Sequence, residues 1–403
     1  MSRIGRRTQA LFAGAGLALA ATMVHAASAP APAPEMVPTF PPGTQGVPAG
    51  NYNVALRSAE DKALLNPLAR NEAYFQMQDG PELGGSSGIR MDKDGRSVWV
   101  FQRCGTQDYC IGSNDPPLLK FDANGRITMR LLNGQIVYPH GLHVDRDGNI
   151  WVTDLRTNTH EQGNQSARRI PGAAPNGGVV RKYSPRGRLL LTLGTPGVYG
   201  NDDKHLSQPS AVITDRDGNI YVADGHDSAP SNNRIVKYDR NGRFIKAWGS
   251  TGSEPGQLNC PHDLAIDADN RLLVADRTNN RIQVYDLEGN LLDSWSHWGR
   301  VSGLEIDRNN ILYAADSMSS VNQGNRFMRG MHIGDARTGR ITAFVPDPLG
   351  NPAPWNPLRG TTGMEGITAD GNGNVFVAQV TPPGLAKYTP KTWKPAPPLP
   401  CNR

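Results

Sequence analysis

The feature that most constrains this 403-residue chain is an internal repeat that runs through most of its length. Each copy has a short apolar strand that ends in Asp, then a turn such as Arg-Asp-Gly-Asn, then a second apolar strand such as Ile-Tyr-Val-Ala-Asp. The six anchor aspartates that end the first strands are Asp92, Asp145, Asp215, Asp267, Asp307 and Asp370. Alternating apolar residues and glycine-containing turns lead to a third and a fourth strand, which predicts a four-stranded antiparallel meander.

Six such meanders predict an all-β fold, a six-bladed β-propeller with four-stranded antiparallel blades around a central channel. The high content of glycine, 45 residues, and proline, 32 residues, agrees with a turn-rich protein. A linear array of the same repeats would leave two open sheet edges, which closure into a ring protects. We expect Tyr74–Met77 to provide the strand that completes the last blade.

The segments outside the repeat indicate an exported protein. Three arginines precede an apolar run, Leu11–Val24, which is too short to cross a membrane and is followed by a small-residue cleavage site. We therefore expect a periplasmic or secreted protein with no membrane span. The predicted divisions are a signal peptide at 1–26, an Ala/Pro-rich disordered tether at 27–49, the propeller at 50–390 and a Pro-rich tail at 391–403.

Charge and cysteine content narrow the partners. The formal net charge is +5, three arginines of the signal peptide contribute to it, and no basic run is interleaved with aromatic residues. Nucleic acid is therefore not an expected partner, and we expect a monomer.

Four cysteines in an exported chain predict disulfides. Cys104 and Cys110 are close enough in sequence to close a short loop, which would leave Cys260 and Cys401, although four cysteines allow three pairings.

The position five residues before each anchor aspartate opens the channel-lining strand of its blade. Around the ring this series reads Ser87, His140, Ser210, His262, Ser302, Glu365. Blades two, four and six of a six-bladed ring are about 120° apart, so His140, His262 and Glu365 are predicted to converge on the channel axis. Three protein ligands that leave one face open are typical of a catalytic metal site, with Zn²⁺ favoured. Two histidines and a carboxylate also match an iron site.

Three further residues are predicted to act at the same rim. Arg103 and Arg277 end second strands in blades one and four, which face each other across the ring. Because arginine binds carboxylates and oxyanions through a bidentate fork, we expect a small-molecule or peptide substrate with an anionic group. His226, in the loop after the second strand of blade three, is a candidate proton shuttle. The aspartates that end other second strands are predicted to serve packing and turn hydrogen bonds: Asp154, Asp224, Asp276 and Asp316.

Three motifs point to a known family. Tyr-Pro-His-Gly-Leu at 138–142, Pro-His-Asp-Leu-Ala at 261–265 and Val-Ala-Asp-Arg-Thr-Asn-Asn-Arg-Ile-Gln at 274–283 resemble NHL-repeat propellers. Among these, the chain looks most like the peptidyl-α-hydroxyglycine α-amidating lyases. Those enzymes remove the hydroxyl proton of the substrate and expel glyoxylate from a peptide amide.

The resemblance implies roles for particular residues. It implies zinc bound by three channel histidines, of which the first two correspond to His140 and His262, and two assisting arginines that correspond to Arg103 and Arg277. The third histidine of the family falls at Glu365. The catalytic tyrosine falls at or near His226, and an acidic residue linked to calcium falls at Gly366, so Ca²⁺ is not expected.

These observations predict an exported metal-dependent lyase or hydrolase that acts on a small polar or peptide-derived substrate at the top of the channel. Two alternatives remain at the level of the sequence. One is a non-enzymatic NHL-repeat propeller that binds a protein or a glycan. The other is a non-haem iron oxygenase that uses the same trio of residues.

Overall fold

The computed structural model describes residue 61 and residues 63–77, 80–105, 109–158, 174–226, 231–319, 327–348 and 362–391. The predicted signal peptide, the tether and nearly all of the C-terminal tail lie outside these residues. The first strand, β1 (Leu68–Asn71), is followed by a 3-10 turn at Glu72–Tyr74.

Blades one to three follow β1 in chain order. Blade one contains β2 (Gly85–Met91), β3 (Val98–Arg103), β4 (Leu118–Phe121) and β5 (Ile127–Leu131). Blade two contains β6 (Pro139–Val144), β7 (Ile150–Thr157), β8 (Gly177–Tyr183) and β9 (Leu189–Leu193). Blade three contains β10 (Pro209–Thr214), β11 (Ile220–Asp224), β12 (Arg234–Tyr238) and β13 (Phe244–Trp248).

Blades four to six complete the ring. Blade four contains β14 (Pro261–Ile266), β15 (Arg271–Asp276), β16 (Arg281–Asp286) and β17 (Leu291–Trp295). Blade five contains β18 (Val301–Ile306), β19 (Ile311–Asp316), β20 (Gly330–Asp335) and β21 (Ile341–Pro346). Blade six contains β22 (Thr362–Ala369), β23 (Val375–Thr381) and β24 (Gly384–Pro390), with β1 as its outermost strand. The predicted six-bladed, all-β propeller is therefore confirmed.

Ring closure depends on the N-terminal part of the described chain. Leu68 pairs with Pro390 and Arg70 pairs with Tyr388, so β1 completes blade six. The expectation that Tyr74–Met77 supplies this strand was wrong. Tyr74 ends the 3-10 turn, and Gln76 forms a bridge with Arg126 next to the outer strand of blade one. The segment that closes the ring is β1, whose buried Leu68 packs against blade six. Its sequence, Leu-Ala-Arg-Asn, lacks the alternation of apolar and polar residues from which a strand is predicted.

The hydrophobic core is divided among the six interfaces between neighbouring blades. Between blades one and two, for example, Trp99 and Phe101 pack with Leu142, Val152 and Tyr183. The other interfaces have equivalent clusters, including the one between blades six and one. Inner strands of neighbouring blades also contact each other all the way round, with β22 against β2. This packing fixes the positions of the six inner strands around one channel.

Repeated aspartates hold the turn at one end of each blade, and in blades two to five a further aspartate holds the other end. At one end, the Asp215 carboxylate accepts hydrogen bonds from the N–H groups of Asp217 and Asn219, at 2.9 and 2.8 Å. At the other end, Asp224 accepts hydrogen bonds from the N–H of Ser207 and from Nε of Arg234. Equivalent bonds recur in other blades. The predicted packing and turn role of these aspartates is confirmed. We call the end of the channel where first strands begin and second strands end the upper rim.

Candidate metal centre

The residues predicted to face the channel all lie at irregularities in the inner strands. Each inner strand shifts its pairing register at or immediately after the rim position predicted from the repeat. Such a bulge inserts one unpaired residue and redirects its side chain. The six residues at these shifts are Ser87, His140, Ser210, His262, Ser302 and Glu365. Identical local distortion therefore brings residues from different blades to one level of the channel.

Glycine follows the bulge where the inner strands approach most closely. A Cβ atom on Gly303 would lie 2.3 Å from the carbonyl oxygen of Glu365, and one on Gly366 would lie 2.4 Å from that of Ser87. Real Cβ contacts do not occur at such distances, so these positions require glycine. The close approach narrows the channel at the level of the rim residues.

Two of the rim histidines are oriented by hydrogen bonds between blades. Nδ1 of His140 donates to the carbonyl oxygen of Ser210, and Nδ1 of His262 donates to that of Ser302, both at 2.7 Å. Donation from Nδ1 leaves a lone pair on each Nε2. Neither Nε2 atom has a hydrogen-bond partner among the described residues. A carbonyl acceptor that fixes the tautomer in this way is typical of metal-binding histidines.

A third histidine joins this pair. His226 follows β11, and its ring centre lies 4.9 Å from that of His140 and 5.2 Å from that of His262. One nitrogen from each of the three rings lies within 4.8 Å of the others. Nδ1 of His226 also has no hydrogen-bond partner among the described residues. Three histidines thus form a group that could bind a metal ion.

Glu365 lies beside the histidine cluster, on the inner strand of blade six. Its Oε1 is 3.5 Å from Nε2 of His262 and 4.0 Å from Nε2 of His140. The side chain is 5% exposed, so it is almost fully removed from solvent. The structure therefore brings the predicted trio together and adds His226 to it.

The three histidines are held in the neutral form. Burial lowers the pKa of His140 to about 3, and the positive charge of Arg103 acts in the same direction. Burial followed by the charge of Arg277 also lowers the pKa of His226 and of His262 well below the usual range. A neutral imidazole is the form that ligates a metal.

Three buried arginines surround the cluster. Arg103 is the last residue of β3, and Arg277 directly follows β15, as the repeat predicted. Arg156, near the end of β7, is a further cation that sequence reasoning missed. It is 6% exposed, and its charge lowers the pKa of His140 less than burial, Arg103 and Arg277 do. The sequence does contain a signal that could have identified Arg156 as a rim residue, because it lies only two residues beyond Asp154, which was predicted at that rim.

The hydroxyl groups of the rim serines are used within the fold. The Ser87 hydroxyl donates to the carbonyl oxygen of His140 at 3.0 Å, and the Ser210 hydroxyl donates to that of Pro261. These bonds link blade one to blade two and blade three to blade four. They give the serines a structural role between blades.

Of the three pairings that the sequence left open, the structure contains the short-loop disulfide Cys104–Cys110, with Cα atoms 5.0 Å apart. It directly follows Arg103 at the end of β3. Cys260, just before β14, is buried, and its predicted partner Cys401 lies outside the described residues. Within the described residues, no helix has the length and apolar character needed to cross a bilayer.

Six four-stranded blades and a histidine cluster at one rim define a six-bladed β-propeller with a candidate metal centre. Comparison with known proteins confirms the predicted resemblance to NHL-repeat proteins and amidating lyases. Residues 258–285 match the NHL repeat. NHL repeat-containing protein 3 of Mus musculus is 30% identical over 213 residues, which is 52% of this chain and 52% of that protein.

Amidating enzymes are also among the relatives. Peptidyl-glycine alpha-amidating monooxygenase B of Xenopus laevis is 38% identical over 145 residues, 34% of this chain and 14% of that protein. Peptidyl-alpha-hydroxyglycine alpha-amidating lyase 1 of Drosophila melanogaster is 34% identical over 114 residues, 28% of this chain and 16% of that protein. The chain thus spans about half or less of the length of these three relatives. A gluconolactonase of Xanthomonas campestris shares the fold, with a TM-score of 0.50 at 15% identity over 84% of this chain and 94% of that chain.

Proposed function

We propose that this chain is an exported metal-dependent lyase or hydrolase that acts on a small polar or peptide-derived substrate at the upper rim. The observation that carries the proposal is the cluster of His140, His226 and His262, with nitrogen atoms within 4.8 Å of one another. The similarity to amidating lyases supports an enzyme rather than a binding module.

The donor set fits a transition-metal ion. His140 and His262 each present a buried Nε2 lone pair, and His226 adds a third ring nitrogen within 4.8 Å of the other two. Imidazole nitrogen suits zinc and iron, and three histidines in particular are a catalytic zinc set. We assign these three histidines as the ligands. Bound Zn²⁺ would supply Lewis-acid polarisation of a substrate oxygen.

The arginines would bind and orient the substrate. Arg103 and Arg277 approach the cluster from opposite blades, and both are buried. A buried guanidinium strongly favours an anionic partner because few waters compete for it. This arrangement favours a substrate whose anionic group lies next to the reacting centre.

Glu365 would accept the proton. Its Oε1 lies within 4.0 Å of two ligand nitrogens, so a substrate hydroxyl at the centre would be within reach. With an N-acyl-α-hydroxyglycine, Oε1 would take the hydroxyl proton as the new C=O bond forms. The C–N bond would break, and its electron pair and a proton would go to the amide nitrogen. The products are an amide and glyoxylate.

The disulfide supports an oxidising location, periplasmic or secreted, because disulfides persist there. We propose a monomer that binds no nucleic acid. After removal of the predicted signal peptide, the chain would act as a single propeller outside the cytoplasm.

Metal analysis tests the proposal. Purified chain should contain about one equivalent of zinc, and His140→Ala, His226→Ala and His262→Ala should each lower zinc affinity at least about tenfold. The same variants should abolish release of glyoxylate from α-hydroxyglycine peptides.

His205→Ala is the matched control, since His205 is not part of the histidine cluster and pairs with Asp202 at 2.9 Å. This variant should keep both zinc and activity. Full zinc content in His226→Ala would return His226 to the role of proton shuttle. Zinc-free, inactive wild-type chain that stays inactive after zinc is added would refute the proposed enzyme.

A further inference from the structure

The residue directly after each rim position departs from the repeat in one blade. Glycine or alanine follows the rim residue in five blades, and aspartate follows it in blade four. In chain order these residues are Gly88, Gly141, Ala211, Asp263, Gly303 and Gly366. The inner strands approach each other closely at this level, which restricts most of these positions to small residues. Asp263, next to His262, therefore places a carboxylate in the channel where the other blades have no polar side chain.

Arg90 reaches this carboxylate from the opposite side of the ring. It lies on β2 of blade one, three blades away from β14 of blade four. Its Nη2 donates to both carboxylate oxygens of Asp263, at 3.1 and 2.9 Å, and its Nη1 donates to the carbonyl oxygen of Ile367 in blade six at 2.7 Å. The Arg90 and Asp263 side chains are only 13% and 14% exposed. Since charge-assisted bonds are strong where little water competes, the pair forms a cross-link through the channel.

This ion pair lies between two spaces of very different size. Above it, a space of about 10 Å³ is bounded by the pair and by rim residues that include His140 and His262. Below it, a cavity of about 160 Å³ is lined by residues from the inner strands of all six blades, among them Arg90. A space of about 10 Å³ holds about one water molecule. The pair therefore closes the channel directly beneath the histidine cluster.

The same pair is linked to the orientation of His262. Asp263 accepts a hydrogen bond from the N–H of Leu304 at 2.8 Å, and Nδ1 of His262 donates to the carbonyl oxygen of Ser302 at 2.7 Å. Ser302 and Leu304 both belong to β18, so two consecutive residues of blade four hold two nearby points of blade five. Without the Asp263 contact β18 could shift relative to β14, and the acceptor that orients the His262 ring would move with it.

We propose that Arg90 and Asp263, the ion pair beneath the metal centre, are a positioning pair that holds the His262 ring in the orientation that binds the ion. This inference rests on the proposed function, because it takes the histidine cluster as a metal site. Removal of groups that orient a metal-binding histidine typically lowers metal affinity or activity by about 10- to 100-fold. Because the pair acts through β18, we expect an effect at the lower end of that range.

Zinc affinity of the full chain tests the pair without requiring catalysis. Arg90→Met leaves the Asp263 carboxylate without its cation, and Asp263→Asn removes the charge at nearly constant volume. Each variant should lower zinc affinity about tenfold. Arg90→Lys keeps a cation and should restore most of the affinity. Because the two residues act as a unit, the double variant should bind zinc as weakly as either single variant.

The visible absorption spectrum of the cobalt-loaded chain separates positioning from simple stabilisation. The spectrum reports the ligand geometry of the ion, so it should change in Arg90→Met and in Asp263→Asn. Arg337→Met is the matched control, since Arg337 pairs with Asp269 at 2.8 Å through side chains that are 62% and 44% exposed. Its zinc affinity and cobalt spectrum should equal those of the wild type. A lower melting temperature of the metal-free Arg90 and Asp263 variants, with unchanged zinc affinity and cobalt spectrum, would overturn the proposal.

Turnover distinguishes failure of this inference from failure of the proposed function. Weaker zinc binding by the variants, in a chain whose zinc-loaded wild type releases no glyoxylate, would support the positioning pair and count against the lyase. Equal zinc affinity of the wild type and both single variants would overturn the pair, while glyoxylate release by the wild type would still support the lyase. Additive losses in the double variant would also overturn the pair. Wild-type chain that binds neither zinc nor cobalt would refute both proposals.

Discussion

Glu365 and the three histidines lie close together, and we propose different chemical tasks for them. The rings of His140 and His262 are fixed by carbonyl acceptors in the next blade, and the carboxylate of Glu365 lies near the Nε2 atoms of both. A carboxylate in that place can bind the metal or accept a proton. The assignment of Glu365 as proton acceptor follows from the presence of His226 as a third nitrogen donor.

Glu365→Gln separates these two tasks. The amide keeps the volume but cannot accept a proton, so kcat should fall at least about 100-fold while zinc stays bound. Parallel measurements of zinc content and glyoxylate release check this expectation.

Glu305→Gln is a matched control, because Glu305 is a half-buried glutamate of another inner strand, and removal from solvent raises its pKa to about 7. Glutamine resembles its protonated form, and activity should be retained. Loss of zinc in Glu365→Gln would instead make Glu365 a ligand, as the sequence pattern predicts.

Among the elements, β1 has the greatest influence on closure of the ring. It is the only strand of blade six that comes from the N-terminal part of the chain, and Leu68 inserts its side chain beside Tyr388 and Val377. Pairing of β1 with β24 joins the two ends of the described chain. A propeller closed in this way loses contacts in two blades when the first strand detaches.

Leu68→Ala tests the contribution of β1. Removal of a buried leucine side chain should lower the free energy of unfolding by about 2 to 3 kcal/mol. Leu65→Ala is the control, since Leu65 is 65% exposed and should change stability by less than about 0.5 kcal/mol. Urea denaturation measures both. Equal effects of the two substitutions would show that β1 does not hold the ring closed.

The strands differ in how far the sequence alone predicts them. Blade strands such as β11 and β15 combine a continuous apolar run with a terminal aspartate, so they can be recognised from the sequence alone. The sequence of β1 has neither feature, and its place is decided by a partner, β24, more than 300 residues away. Long-range pairing of this kind depends on the closed ring and not on local preference.

For the whole molecule, neutral buried histidines predict instability in acid. In the unfolded chain His140 and His143 bind protons near their usual pKa of 6.5, but burial lowers the pKa of each to about 3 in the folded chain. Stability of the metal-free protein should therefore be full above pH 6.5 and decrease as the pH falls toward 3.

Melting temperatures of metal-free chain between pH 7.5 and pH 4 measure this loss. His143→Gln removes one of these groups and leaves the three-histidine cluster intact, so its melting temperature should fall less steeply with acid. A pH profile identical to that of the wild type would mean that His143 is not held neutral by the fold.

The sequence by itself determined the number of blades, the six rim positions and the alternation of serines with His140, His262 and Glu365. The reason is that equivalent positions of a sequence repeat take equivalent places in each blade. The contribution of residues that do not occupy equivalent positions in the repeat was decided only by the tertiary structure. The sequence predicted His226 at the rim, but only the tertiary structure shows that its ring joins His140 and His262. Arg156 lies beyond the end of the repeat motif, and only the structure shows that its charge acts on His140. The bulge at each rim position has the same origin: whether a strand residue turns into the channel depends on the strands packed beside it, which periodicity alone does not describe.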